Sequence, residues 1–128
     1  MNAYPLTIAA LLLALVVYVG AVIAVGRARG RFKIDAPATT GHPTFERMFR
    51  AQQNTLEQTV LCLPLLALAA ATFGDRVGGI YGLVWSVGRL LYIVSYAREA
   101  SSRAPGFMLS AGVSAGMLVA VVVGRVLG

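Results

Sequence analysis

Charge is what this sequence has least of. Only 12% of its 128 residues are charged, and just five are acidic. A soluble domain carries about 25% charged residues. With 58% hydrophobic residues and a mean hydropathy of +0.75, the chain reads as one membrane domain. Its net charge of +6 fits the orientation bias of membrane proteins. No basic run with interleaved aromatics suggests a nucleic-acid surface. The single cysteine, Cys62, excludes an intrachain disulfide. Its apolar setting, "TVLCLPLL", marks a buried, inert thiol rather than a nucleophile. The single histidine, His42 in "GHP", reads as a loop residue. With Cys62 far along the next helix, no metal-ligand set can be assembled. No glycine-rich phosphate loop follows a strand, and no Ser-His-Asp set is available.

Long apolar runs are present instead. A spanning helix needs about 20 mostly apolar residues. Leu6 to Val25 meets this with no charge, Val77 to Ala97 with Arg89 alone, and Ala104 to Gly124 with none. A fourth run, near 44–73, has polar first turns and carries Pro64, which predicts a kink. The sequence therefore predicts an all-α, integral membrane four-helix bundle. It forms a single domain over 1–128, with spans near 5–26, 44–73, 77–99 and 104–125. The uncharged start is longer than a signal-peptide apolar region and lacks a basic leader, so it reads as a retained first span.

Arginine distribution orients these spans. The first loop holds Arg27, Arg29, Arg31 and Lys33, and the third junction holds Arg98 and Arg103. The second loop has only Arg76, offset by Asp75. Loops one and three are expected on the cytoplasmic side, and both termini on the opposite side. "SAGVSAG" places Ser110, Ser114, Gly112 and Gly116 at a spacing that suits close helix packing.

Two polar stripes interrupt the apolar background. At about 100° per residue, Glu46, Arg50, Gln53, Asn54 and Glu57 share one face at the start of the second helix, and Gln52 points away from them. By the same arithmetic Trp85, Arg89, Tyr92, Tyr96, Glu99 and Arg103 share a face toward the end of the third. A short connection makes these helices antiparallel neighbours, so the stripes converge at one depth. Arginine forks bind carboxylates bidentately, a carboxylate such as Glu57 can receive an ammonium, and an arginine beside a thiol favours the thiolate. A ligand with two carboxylates, one amine and one thiol matches this inventory, and glutathione is such a ligand. The structural alternative is a pair of internal ion pairs, Arg50–Glu46 and Arg89–Glu57, that fix helix register.

The stretches "TTGHPTFERMFRAQQNTLEQ" and "RLLYIVSYAREASSRAP" resemble the membrane-associated proteins in eicosanoid and glutathione metabolism, the MAPEG family, over nearly the whole chain. The resemblance implies a homotrimer of four-helix subunits with a glutathione site at each subunit interface. Matched residue by residue, it implies that Arg50, Asn54 and Glu57 hold glutathione and that Gln52 reaches a neighbouring subunit's site. Arg29 would meet a glutathione carboxylate. Arg89, Tyr92 and Tyr96 would form the third-helix face, and Arg103 would stabilise the thiolate, with Arg98 the alternative. Glutathione would be a co-substrate. The second substrate would be an apolar electrophile or lipid hydroperoxide, reaching the site from the membrane past Leu63 and Trp85. The expected activity is that of a glutathione-dependent transferase or peroxidase. The rival expectation is a non-catalytic lipid-binding or scaffold protein of the same fold.

Overall fold

The computed structural model describes residues 3–128. Helix α1 runs Pro5–Phe32, α2 Pro43–Phe73, α3 Asp75–Arg98 and α4 Ala104–Val122, and no strand occurs among the described residues. A 3₁₀ turn, Ala100–Ser102, precedes α4, and a π turn, Val123–Leu127, ends it. Four segments are long and apolar enough to cross a membrane. The outward faces carry exposed Leu, Val and Ile along every helix, as a surface solvated by lipid requires. The protein is a multi-pass membrane protein.

Helix α3 is the spine. It packs against all three other helices, whereas α1 and α4 lie on different sides of it and hardly touch. Small residues allow the close approach. A side chain at Gly82 would stand 2.7 Å from the Ala10 Cβ, and one at Gly88 would stand 2.9 Å from the Ser110 backbone nitrogen. Gly106 lies against the Tyr92 backbone and leaves no room for a Cβ. The tight α3–α4 crossing is thus built by Gly88, Gly106, Ser110 and Ser114, while Gly112 and Gly116 face open space.

Helix ends are tied by side chains. The Asp75 carboxylate accepts from the backbone N–H groups of Leu6 (3.0 Å) and Thr7 (2.7 Å), capping the free donors of α1 from the start of α3. Arg125 donates to the Thr72 hydroxyl and the Ala71 carbonyl, closing α4 onto the end of α2. His42 caps α2: its Nδ1 accepts from the Thr44 N–H at 3.2 Å, and its ring stacks on Phe32 at 3.9 Å.

Helix α1 continues six residues beyond the predicted span, through the basic segment. It ends where Lys33 takes a left-handed conformation (φ 54°) and the Ile34 N–H bonds back to the Arg29 carbonyl. Ile34 then buries against Val25, Ala28 and Phe45, which folds the first loop onto the end of the bundle. Helix α2 passes through Pro64 as one element.

Candidate functional site

The two polar stripes meet in a cleft of about 660 Å³ among α2, α3 and the head of α4. Arg50 and Asn54 line it from α2, Tyr92 and Tyr96 from α3. Ser101, Arg103, Phe107 and Met108 complete it from the following segment. One wall is therefore polar and cationic, and the other opens toward apolar side chains. Tyr92 and Tyr96 stack with ring centroids 5.6 Å apart. The Arg89 guanidinium lies 4.1 Å from the Tyr92 centroid, and that of Arg103 lies 5.5 Å from the Tyr96 centroid. The order along this wall is cation, ring, ring, cation.

Arg89 sits behind the cleft, fully buried. It donates to Asn54 Oδ1 at 2.8 Å, Thr55 Oγ1 at 3.1 Å and Ser110 Oγ at 3.1 Å, joining α2, α3 and α4. These neutral acceptors take the place of the Arg89–Glu57 ion pair considered from sequence. Because Asn54 accepts through Oδ1, its amide nitrogen is turned the other way, toward Glu57 Oε2 at 3.5 Å. Glu57 itself is exposed on the surface of the bundle.

Arg103 is not on the third helix, contrary to the periodicity argument. Helix α3 ends at Arg98, where Glu99 turns extended, and the Ser102 hydroxyl takes up the Ser95 and Glu99 carbonyls. Arg103 is the residue that caps α4, and it donates to the Ala100 carbonyl at 2.7 Å. The short turn returns it to the cleft despite the lost register. Trp85 also departs from expectation. It has no exposed surface and packs in the core with Cys62, Leu65 and Tyr81, so it lines no path from the lipid. Its position on the inner face of a central helix explains this, since α3 is enclosed on three sides.

Arg29 and Gln52 do not reach this cleft within one chain. Arg29 donates to the Ala38 carbonyl at 2.7 Å and lies over Phe45. Gln52 donates to the Tyr18 hydroxyl of α1 at 3.2 Å and accepts from Gln53. Sequence reasoning missed Tyr18, Thr55, Ser101, Phe107 and Met108. Only their contacts distinguish them from ordinary span residues. Ser110 was singled out for packing, and its second role as an Arg89 acceptor carried no separate signal.

Fold and cleft together define a four-span membrane protein with an arginine-flanked polar cleft at one end of the bundle. The profile described as the MAPEG family matches residues 6–123, and the chain belongs to that family. It is 45% identical over 97 residues to an uncharacterized protein of Synechocystis sp., covering 76% of this chain and 71% of the relative. It is 43% identical over 91 residues to human microsomal glutathione S-transferase 2, covering 71% of this chain and 62% of the relative. It is 42% identical over 76 residues to bovine leukotriene C4 synthase, covering 59% of this chain and 51% of the relative. The matched segments thus span less than two thirds of the length of those two named enzymes.

Proposed function

We propose that the protein is a glutathione-dependent membrane transferase or peroxidase. The observation that carries this reading is the cleft in which Arg50, Asn54, Tyr92, Tyr96 and Arg103 converge. Arg50 has no hydrogen-bond partner among the described residues, and Arg103 commits one nitrogen to Ala100. Both keep donors for an anionic ligand. The names of the two enzymes above, a glutathione S-transferase and a leukotriene synthase, support the same class.

In this reading the glutathione carboxylates meet Arg50 and, from a neighbouring chain, Arg29. Asn54 orients the peptide backbone, and Glu57 receives the ammonium. Arg103 and the phenols of Tyr92 and Tyr96 surround the sulfur, with Arg103 favouring the thiolate. Held in place, the thiolate attacks an electrophilic carbon presented along the Phe107 and Met108 side. A C–S bond forms and the leaving group takes the displaced electron pair. With a lipid hydroperoxide the sulfur attacks the terminal oxygen, the O–O bond breaks, and the lipid leaves as an alkoxide that takes up a proton to become the alcohol. The resulting glutathione sulfenic acid reacts with a second glutathione to give glutathione disulfide and water. Proximity and a lowered thiol pKa are the contributions asked of the protein.

We assign Arg29 and Gln52 to the cleft of a neighbouring copy in a homotrimer. What supports this is their position outside their own chain's cleft. The arginine-rich first loop and the α3–α4 junction are assigned to the cytoplasmic side.

The test is Arg103→Ala with glutathione titrated into detergent-solubilised protein. Affinity should change little. Thiolate absorbance should vanish and turnover should fall about a hundredfold or more, the scale of losing one donor aimed at developing charge. A mutant that keeps its thiolate signal moves the activating role to Arg98. Wild-type protein with no thiolate at saturating glutathione favours the non-catalytic lipid-binding alternative.

A further inference from the structure

Arg27 and Arg31 have no part in the cleft. Each is two residues from Arg29, so at about 100° per residue both lie on the opposite face of α1 from it. They are exposed, one turn apart, and they flank a second cavity of about 400 Å³ between α1 and α2. Its floor is apolar: Ala24 and Ala28 below, with Phe32 and Met48 to the side. Phe32 is held by its stack on His42 and carries the Arg31 guanidinium 5.1 Å from its ring centroid. The cavity begins where the uncharged run of α1 ends, Arg27 being the first charged residue of the chain. That is the level at which lipid headgroups meet a spanning helix.

We infer that this cavity is a binding site for one anionic phospholipid. The phosphodiester meets the Arg27 and Arg31 forks, and an acyl chain descends over Ala28 and Ala24. Charge complementarity names the headgroup, since two guanidiniums without a nearby carboxylate in the lining select an anion. The alanine floor names the chain, since small apolar side chains beneath the two guanidiniums leave room for methylenes. Basic pockets between spanning helices take anionic headgroups on this principle. The alternative for these arginines is a solvated pair that serves only to orient the span. That alternative requires neither a cavity nor an apolar floor. The inference does not rest on glutathione chemistry. It would hold if the cleft were inactive.

The probe is phosphatidylglycerol, added to the full chain in detergent and counted by native mass spectrometry against phosphatidylcholine. One phosphatidylglycerol per chain should be retained in preference to phosphatidylcholine. Arg27→Gln with Arg31→Gln should weaken retention roughly thirtyfold, the loss expected of two basic contacts. Lys33→Gln, which removes a neighbouring charge outside the cavity, should leave it unchanged. Ala24→Leu fills the floor without altering charge and should also reduce retention. Glycerol 3-phosphate, which lacks acyl chains, should not compete. Equal retention of the two lipids, or undiminished retention in the double variant, would overturn the site. So would an equal loss with Lys33→Gln, full retention with Ala24→Leu, or competition by glycerol 3-phosphate.

Discussion

Arg89→Met separates what Arg89 does for the fold from what it does for the cleft. The guanidinium makes three interhelical hydrogen bonds. Between spanning helices such bonds average about 0.6 kcal/mol each, because helices separated in the bilayer also find partners. Three of them come to about 2 kcal/mol. Two of the acceptors are not orphaned by the change. The Thr55 hydroxyl still donates to the Ala51 carbonyl at 2.7 Å, and the Ser110 hydroxyl to the Gly106 carbonyl at 3.0 Å. The cost of burying a cation, several kcal/mol in a protein interior, disappears with it. Methionine fills much of the volume. The variant should therefore fold, with a thermal midpoint in detergent that changes little, since the two effects oppose each other. Asn54 is different. Its Oδ1 loses the contact that turns its amide nitrogen toward Glu57, so the amide becomes free to rotate within the cleft. Glutathione affinity, read by calorimetric titration, should fall by about tenfold or more. If Arg89 acts through Asn54, adding Asn54→Ala to Arg89→Met should cost little further affinity, and the two losses should be clearly non-additive. Additive losses would refute the positioning role. Unchanged affinity with a large drop in melting temperature would make Arg89 a packing residue alone.

Glu57→Gln should weaken glutathione binding by about tenfold or more while leaving the fold intact, as expected for a desolvated ammonium losing its charge partner; an unchanged dissociation constant would mean Glu57 serves only Asn54. Native mass spectrometry in mild detergent should show a trimer, and an active species that is only monomeric would remove the shared-site assignment of Arg29 and Gln52. Cysteines introduced at Thr39 and at Arg76, both exposed, should label from opposite sides of the membrane, Thr39 from the cytoplasmic side. Labelling of Arg76→Cys alone from that side would reverse the topology.

The spans were legible because apolar runs of membrane length leave few other structures open to a chain. The face shared by Arg50, Asn54 and Glu57 was legible because α2 is a single helix through them, so 100° arithmetic holds. The same arithmetic failed at Arg103. It assumes an unbroken helix, and nothing in "YAREASSRAP" announces that Ser102 will collect the last carbonyls of α3. Trp85 failed for another reason. Periodicity assigns a residue to a face but not that face to lipid or core, and only the central position of α3 decides it. The glycine spacing in α4 likewise marked a small-residue surface. Which of its two faces meets α3 depended on Gly106, whose neighbours lie on another helix.

The arginines of this chain divide by what they have left to donate. Arg47, Arg89 and Arg125 are directed into the bundle, to the Ala97 carbonyl, to three side-chain oxygens, and to the end of α2. Their hydrogen bonds link helices that apolar packing in lipid cannot drive together, because lipid tails are as apolar as the side chains they would replace. Arg50 and Arg103 face the cleft with donors free, and Arg29 keeps Nε and one terminal nitrogen beyond its loop carbonyls. Arg50 and Arg103 line a cleft that is partly apolar, so water, lipid phosphate or an anionic ligand is needed to complete their hydrogen bonds. The first group makes that arrangement tolerable. By hydrogen-bonding Asn54, Thr55 and Ser110, Arg89 ties α2, α3 and α4 together just behind the cleft. In the proposed reading, a ligand that meets helices already tied in this way has less ordering to do in order to bind.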